Sequence, residues 1–372
     1  MSSEQIRVLW LAKGLGPGGM ERLLVHHARF GDHAAFAYQA AYLRPDKFHL
    51  VETLRSFGVE STCLDGPTLQ DLRWARRLRR LLRTERIDVI HAHSPAVAAV
   101  ARMVTRTMRP RPRVVYTEHN MWSSYDRVTR VANAATFRLD DAHIAVSDQV
   151  RTSIPARSRK DVTTVVHGID IEAVRAQIIN RDAVRAELGI APGDVLIGTV
   201  ANFRSEKAYP DLLAAARLVV DRVPNAHFVS IGQGHLEAEI KAEHARLGLG
   251  ERFRFLGYRD DATRVMAGFD LFTLASHFEG LPVTLMEARA LGLPVVVTRV
   301  GGLAAHVRDG VDGVLVEPGR PDELAAAIER LASDAPARAA LAAQSAEAAG
   351  AFDARVFTAI LEDRYRAVLR RP

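Results

Sequence analysis

Two acids and two cations are the residues through which this sequence could do chemistry. In "SHFEGLPVTLMEARALGLP", Glu279 and Glu287 stand on either side of a Gly-Leu-Pro turn, one before a helical pattern and one within it. In "VLIGTVANFRSEKAYPDLLAAARLV", Arg204 and Lys207 stand three apart in a loop between an apolar run and a helical pattern. A loop that follows a parallel strand lies at the carboxyl edge of its sheet, where open α/β sheets bind ligands. Arginine grips an anionic oxygen in a bidentate fashion, and lysine acts as a compact point charge. Pro282 suits the first helical position. The free N–H groups of Gly280, Leu281 and Val283 would then face an anion at the positive end of the helix dipole. These features predict a diphosphate cradle that needs no metal, and the sequence has no Asp-x-Asp pair of the kind that holds a nucleotide-bound cation. Glu279 is placed to reach a sugar and Glu287 to accept from vicinal ribose hydroxyls. A plainer account fits the same spacing: an early-helix acid, a turn acid and a solvated basic loop.

Such a cradle needs sheets to carry it. Strands are expected at Ile6–Ala12, Phe36–Leu43, Val59–Leu64, Ile87–Ala92, Val114–Glu118, Ala142–Val146 and Val162–Val166. After a helical stretch near Ala173–Leu188 they resume at Val195–Ala201, His227–Ile231, Arg252–Leu256, Leu271–Leu274, Pro294–Thr298 and Val314–Val316. Alternation of such runs with helical patterns implies parallel sheets covered on both faces. Thirteen strands in 372 residues exceed one open sheet, so the fold class is α/β with two Rossmann-like domains facing a cleft. The expected division is 1–168 and 169–354, with a last helix in 355–372 crossing back to the first domain.

Composition narrows the class further. Hydrophobic residues make up 48% and charged residues 25%, the profile of a globular protein, and no apolar run is long enough to span a bilayer. One cysteine, Cys63, fits a reducing cytoplasm, and the N-terminus reads as a first strand with no signal peptide. The net charge of +6 owes much to "DLRWARRLRRLLRTER", an amphipathic helix with a basic face over Arg73–Arg86. That face suits plain solvation, an anionic membrane or a polyanionic acceptor. Nucleic acid is not expected, because aromatic interleaving is absent. Gly14, Gly16 and Gly19 in "LAKGLGPGGMERLL" satisfy G-x-G-x-x-G, the dinucleotide fingerprint. The acid that motif needs is poorly supplied by Asp46, so a loop that closes on a ligand is preferred to nicotinamide binding.

These residues resemble the retaining, nucleotide-sugar-dependent glycosyltransferases of GT-B architecture called family 4. The Arg204/Lys207 pair matches the family's diphosphate-binding cations. Glu279 and Glu287 match its E(x7)E pair, with the first on the donor sugar and the second on the ribose. "GLGPGGMER" resembles its N-terminal loop near the donor phosphates, with Gly18, Gly19 and Glu21 matching G-G-x-E. "IDVIHAHS" and "VVYTEHN" resemble its cleft strands, which implies His119 beside the reacting sugar and His93 on the acceptor side. "ALGLPVVVTRVGGLAAHVRDGVDGVLVEPGRPDELAAAI" resembles its helix, strand and glycine turn. The sequence departs from the pattern at Ala208, where glycine often follows the lysine, and at His306, where an acid is common.

The resemblance implies retention at the anomeric carbon, no cofactor and no metal, with the nucleotide sugar as a substrate. Arg204, Lys207 and the helix amides would stabilise the charge on the departing diphosphate. His119, Glu279, Arg204 and Lys207 are the expected catalytic set. An unperturbed histidine near pKa ~6.5 could hold the donor sugar or help a proton leave the acceptor hydroxyl. The expected donor is UDP- or GDP-linked, and the acceptor a glycan, lipid-linked or small molecule of the cell envelope or exopolysaccharide pathway. The expected location is cytoplasmic, peripheral to the membrane. A sugar-nucleotide epimerase of the same fold is the alternative.

Overall fold

The first apolar run becomes β1 (Ile6–Ala12), whose alternate residues feed two different cores: Val8 and Trp10 face one, Leu9 and Leu11 the other. A computed structural model describes residues 5–16, 19–66, 71, 73–159 and 161–370. The chain forms two units, Met1–Ile169 with Ala354–Pro372, and Asp170–Asp353.

In the first unit, β1 is followed by α1 (Gly19–Phe30), β2 (Phe36–Tyr42), α2 (Val51–Ser56), β3 (Glu60–Cys63), α3 (Arg73–Thr84), β4 (Val89–Ala92) and α4 (Pro95–Arg106). Then come β5 (Arg113–Glu118), α5 (Arg127–Thr136), β6 (Ala142–Ala145), α6 (Asp148–Ser153), α7 (Ala156–Arg159) and β7 (Val162–Thr164). The sheet runs β3-β2-β1-β4-β5-β6-β7, and every pairing is parallel. Strands buried on both faces read as unbroken apolar runs, which is why they are visible in the sequence. Most strands of this unit fall one or two residues short of expectation at one end or both, and one of them has a clear local cause. β4 starts at Val89 rather than Ile87, because Arg86 turns left-handed (φ 50°) and the Ile87 N–H goes back to Leu82. The basic helix ends at Thr84 for the same reason. Arg102 of α4 is fully buried, and its guanidinium meets Asp140 in two 2.7 Å bonds and Asn133 in one of 2.8 Å, which ties α4 to the α5 end.

In the second unit, α8 (Ile171–Arg175) and α9 (Arg181–Glu187) lead into β8 (Val195–Val200), α10 (Tyr209–Arg222), β9 (Ala226–Ile231), α11 (Glu237–Arg246) and β10 (Phe253–Phe255). There follow α12 (Ala262–Met266), β11 (Leu271–Leu274), α13 (Val283–Ala290), β12 (Val295–Thr298), α14 (Gly301–His306), β13 (Val314–Val316), α15 (Pro321–Ser333) and α16 (Ala335–Ala348). The parallel sheet runs β10-β9-β8-β11-β12-β13. The single helix expected near Ala173–Leu188 is broken: Ala176–Asn180 tightens into a 3-10 turn. Ile178, Ile179 and Asn180 are weak helix formers, and Arg181 and Arg185 instead reach Asp270 at 2.5 and 2.7 Å.

The last helix, α17 (Ala354–Leu369), belongs to the first unit. Phe357, Leu361, Tyr365 and Val368 enter the core that holds Val8, Trp10 and Tyr38. Glu362 accepts from the Tyr38 hydroxyl at 2.7 Å.

Candidate active site

The strand order of the second unit reverses between β8 and β11, so their carboxyl ends open the crevice where such sheets bind ligands. The loop after β8 carries Arg204 and Lys207, and the loop after β11 carries Ser276 to Pro282. Lys207 Nζ lies 2.5 Å from Glu279 Oε1, and Ser276 Oγ donates to the same oxygen at 2.7 Å. The Glu279 side chain is buried, while Oε2 has no partner among the described residues. The two loops are locked again by His277, whose N–H donates to the Glu206 carbonyl at 2.9 Å and whose Nε2 lies 2.6 Å from Asp211. Arg204 is more than half exposed and 4.0 Å from Glu206.

The expected roles separate Lys207 and Glu279 between phosphate and sugar, yet the structure puts their side chains in direct contact. Packing explains the difference, since a buried carboxylate takes the nearest cation and hydroxyl. Pro282 is the residue before α13 rather than its first, with φ −73° and ψ 134°. The N–H groups of Gly280, Leu281 and Val283 still have no partner among the described residues. Glu287, one turn into α13, is half-buried and accepts from Thr263 Oγ1 at 3.3 Å. A third loop closes in after β12: the Gly302 N–H meets the Glu279 carbonyl at 3.3 Å, and a Cβ on Gly302 would lie 1.8 Å from the Gly280 oxygen. His306, at the end of α14, packs edge-on against Phe352 at 5.6 Å.

Ala208 adopts the left-handed conformation (φ 48°, ψ 45°) where its chain turns into α10. A non-glycine residue there carries about 1–2 kcal/mol of strain, against which glycine loses about 0.4–1 kcal/mol through the unfolded state. Ala208→Gly is therefore expected to raise stability by up to about 1 kcal/mol in chemical denaturation. A fall would show that the buried methyl outweighs the strain.

In the first unit the strand order reverses between β1 and β4. There Lys13, Glu21, His93, His119, Asn120 and Tyr125 surround a pocket of ≈ 480 Å³. His91 of β4 and His93, just past its end, have ring centroids 4.1 Å apart. His93 Nδ1 is 3.1 Å from His119 Nε2, while His93 Nε2 is buried with no partner among the described residues. A buried N–H left unpaired costs more than a bare lone pair. His93 is thus assigned its proton on Nδ1, donating to His119, which keeps its own proton on Nδ1. Burial, then the neighbouring rings of His93 and His167, hold the His119 pKa well below the ordinary range. His119 is thus neutral, which corrects the expectation of an unperturbed pKa near ~6.5. His91 is fixed from both sides, with Nδ1 2.7 Å from the Tyr365 hydroxyl and Nε2 2.7 Å from Thr117 Oγ1.

Glu118, next to His119, is buried and accepts from Tyr116 at 2.8 Å and from Tyr125. Both its oxygens are taken, and burial raises its pKa. Burial also raises the carboxyl of Glu21, in the first turn of α1, against its own backbone N–H and Lys47. Gly19 opens α1, and Gly18 lies outside the described residues. Asp46 is engaged by Arg44 at 2.7 Å.

Residues 180–348 match the family model for Glycosyl transferases group 1, and residues 17–173 that for Glycosyltransferase Family 4. The chain belongs to the group 1 glycosyltransferases. Over 299 residues, 77% of each chain, this glycosyltransferase is 25% identical to the UDP-Gal:alpha-D-GlcNAc-diphosphoundecaprenol alpha-1,3-galactosyltransferase of Escherichia coli. It is 35% identical over 215 residues, 55% of its length and 45% of the relative's, to the D-inositol 3-phosphate glycosyltransferase of Mycobacterium marinum. Its fold, that of the GT-B enzymes, matches HepE of Anabaena in complex with UDP at a TM-score of 0.84 and 23% identity. That match covers 97% of this chain and 100% of the other and speaks for the fold alone.

The structure of the glycosyltransferase brings Arg204, Lys207, Glu279, Gly280, Leu281, Val283 and Glu287 to one sheet edge, and Glu21, His93 and His119 to one pocket of the other unit. Ser276, Thr263, His91, Tyr125 and Tyr365 were not anticipated. Only His91 left a signal, the alternate spacing of "HAH" on a strand.

Proposed function

We propose that this glycosyltransferase moves a sugar from a UDP-sugar to a lipid-linked acceptor of envelope or exopolysaccharide synthesis, with retention and without a metal. The observation that carries the reading is the Lys207–Glu279–Ser276 contact beside the unpaired amides of α13. Lys207, Arg204 and those amides supply positive charge where the diphosphate leaves, so the negative charge of the transition state meets fixed donors. Glu279 Oε2, which has no partner among the described residues, is assigned to a sugar hydroxyl, and Glu287, which Thr263 holds, to the ribose. His119 donates its N–H to the donor sugar. We assign no covalent nucleophile, since Glu118 is held by two tyrosines. The preference for UDP over GDP draws on the UDP-Gal donor in the Escherichia coli relative's name.

A thermal-shift series over UDP, GDP and ADP, with EDTA present, tests the donor. At roughly a hundred times its Kd, UDP is expected to raise apparent stability by about 2.7 kcal/mol. A larger shift with GDP would replace the donor assignment. Glu287→Ala is expected to remove most of the UDP shift. Incubation with donor alone separates the transferase from an epimerase, which would alter the sugar with no acceptor present.

The acceptor reading places the enzyme on an anionic membrane, and the basic face of α3 within Arg73–Arg86 is the proposed contact.

A further inference from the structure

A recess of ≈ 560 Å³ opens at the amino ends of β6 and β7. His93 and His119 follow the carboxyl ends of β4 and β5, so the recess lies at the other edge of the same sheet. Its lining is drawn from the 3-10 turn Phe137–Leu139, β6, α7, β7 and α17. Three of these elements bring one arginine each: Arg138, Arg157 and Arg364. None of the three has an ion pair among the described residues. Arg138 makes a 3.4 Å bond to the Arg157 carbonyl, and Arg364 donates to Thr163 Oγ1 at 3.1 Å. The acids of the lining do not answer them. Asp140 is held by Arg102 in two 2.7 Å bonds, and Asp141 by Arg111 at 2.7 Å and Arg113 at 3.2 Å. Those three arginines stand outside the lining. Asp161, the remaining acid, is exposed, so the recess keeps a surplus of positive charge. Two hydroxyls add to the donors. Thr163 accepts from Arg364 and keeps its own O–H to give, and Ser158 Oγ has no partner among the described residues.

We infer that this recess binds a small phosphate monoester with a polyhydroxylated body, a sugar phosphate in class, at a second site apart from the donor crevice. Guanidinium forks match phosphate oxygens in pairs. A carboxylate offers this set of donors two oxygens, whereas a phosphate monoester offers three and carries more charge. The volume is larger than a bare phosphate needs and falls in the range of small-molecule sites. The lining also selects the rest of the ligand. Asp161 is an acceptor suited to hydroxyl groups. The Phe137 ring is buried and stacked on His143 with centroids 4.0 Å apart, so it offers no platform to a nucleobase. A ligand held by Arg157 and Arg364 together ties α7 to the last helix. The inference goes beyond the transfer reaction and does not rest on the donor assignment.

The test is titration of the full chain with glucose 6-phosphate, with glucose and gluconate as controls, at about 0.15 M salt, where loose surface attraction is screened. Glucose 6-phosphate is expected to bind about ten-fold or more tightly than gluconate, and glucose not to bind. Arg157→Ala and Arg364→Gln should each weaken binding about ten-fold or more, the usual loss of a charged hydrogen bond. Arg157 is exposed with no side-chain partner among the described residues, and glutamine at 364 keeps a donor for Thr163, so unchanged melting is expected of both variants. Lys207→Ala, in the other unit, should leave this binding unchanged. Hydrogen exchange should slow in α7 and α17 when glucose 6-phosphate is added. Absence of binding overturns the inference, as does equal affinity for gluconate. Loss in Lys207→Ala with retention in Arg157→Ala moves the ligand to the diphosphate cradle and overturns it. A loss of the same size in Arg80→Ala reveals general attraction to a basic chain and overturns it too.

Discussion

Lys207→Ala is expected to lower kcat/KM for glycosyl transfer by about 10²–10³, the usual loss when one charge-stabilising donor is removed from a preorganised site. The geometry makes the prediction sharper than a single number. Lys207 and Glu279 share one contact at 2.5 Å, so removing either leaves the other altered. Glu279→Ala frees Lys207 to relax toward solvent and loses the sugar contact as well. Lys207→Ala leaves a buried carboxylate with only Ser276, which also weakens the fold of that loop. The double variant should therefore cost far less than the product of the single losses. Lys207→Arg should recover part of the rate, because charge is kept while reach and shape change. Steady-state kinetics on the four variants decides the matter. Full activity in either alanine variant would remove the site as the donor cradle.

The second large effect is acid sensitivity of the first unit. His27, His91, His93 and His119 are all held neutral by burial first and by one another second, or for His27 by His33. The ring of His27 is pushed down to about 3 and stacks on Tyr365 with centroids 5.9 Å apart. In the unfolded chain each histidine takes a proton near pH 6.5 that the folded chain refuses. Folded values below unfolded ones contribute stability above pH ~6.5 that is lost as pH falls below it. Each such group steepens the loss by about 1.4 kcal/mol per pH unit, so four give about 5 kcal/mol between neutral pH and roughly pH 5.5. That is comparable to the whole stability of an ordinary domain. Denaturant midpoints measured from pH 7.5 to 5.5 check it. His27→Phe should flatten the slope by about a quarter. A flat profile would mean that the cluster accepts protons without unfolding.

Much of this architecture is written locally. Strands buried on both faces, such as "VVYTE" and "VLIGTV", announce themselves as short apolar runs, and the chain's alternation makes the sheets parallel. That Arg204, Lys207 and Glu279 would come to one sheet edge was legible, because their loops follow neighbouring parallel strands. Their pairing was not legible, because Lys207 meets Glu279 across 72 positions through sheet order that no local pattern states. The same holds for His91 and Tyr365, 274 positions apart. Protonation state was hidden for the same reason, since His93 and His167, whose rings help lower the His119 pKa, are distant from it in sequence. Pro282 shows the ordinary limit at helix ends, where a boundary shifts by one residue without moving the amides behind it.

The placement of α17 sets the order in which the chain can mature. The first unit buries Phe357, Leu361, Tyr365 and Val368 in its core, yet these residues leave the ribosome only after the whole of residues 170–353. At ordinary synthesis rates that interval is about 10–40 s. During it the second unit, contiguous in sequence, is free to fold while the earlier-made sheet waits with Trp10 and Tyr38 uncovered. The half made first is completed last, and a nascent chain stalled before Ala354 presents an open hydrophobic face to chaperones or to its neighbours on the same message.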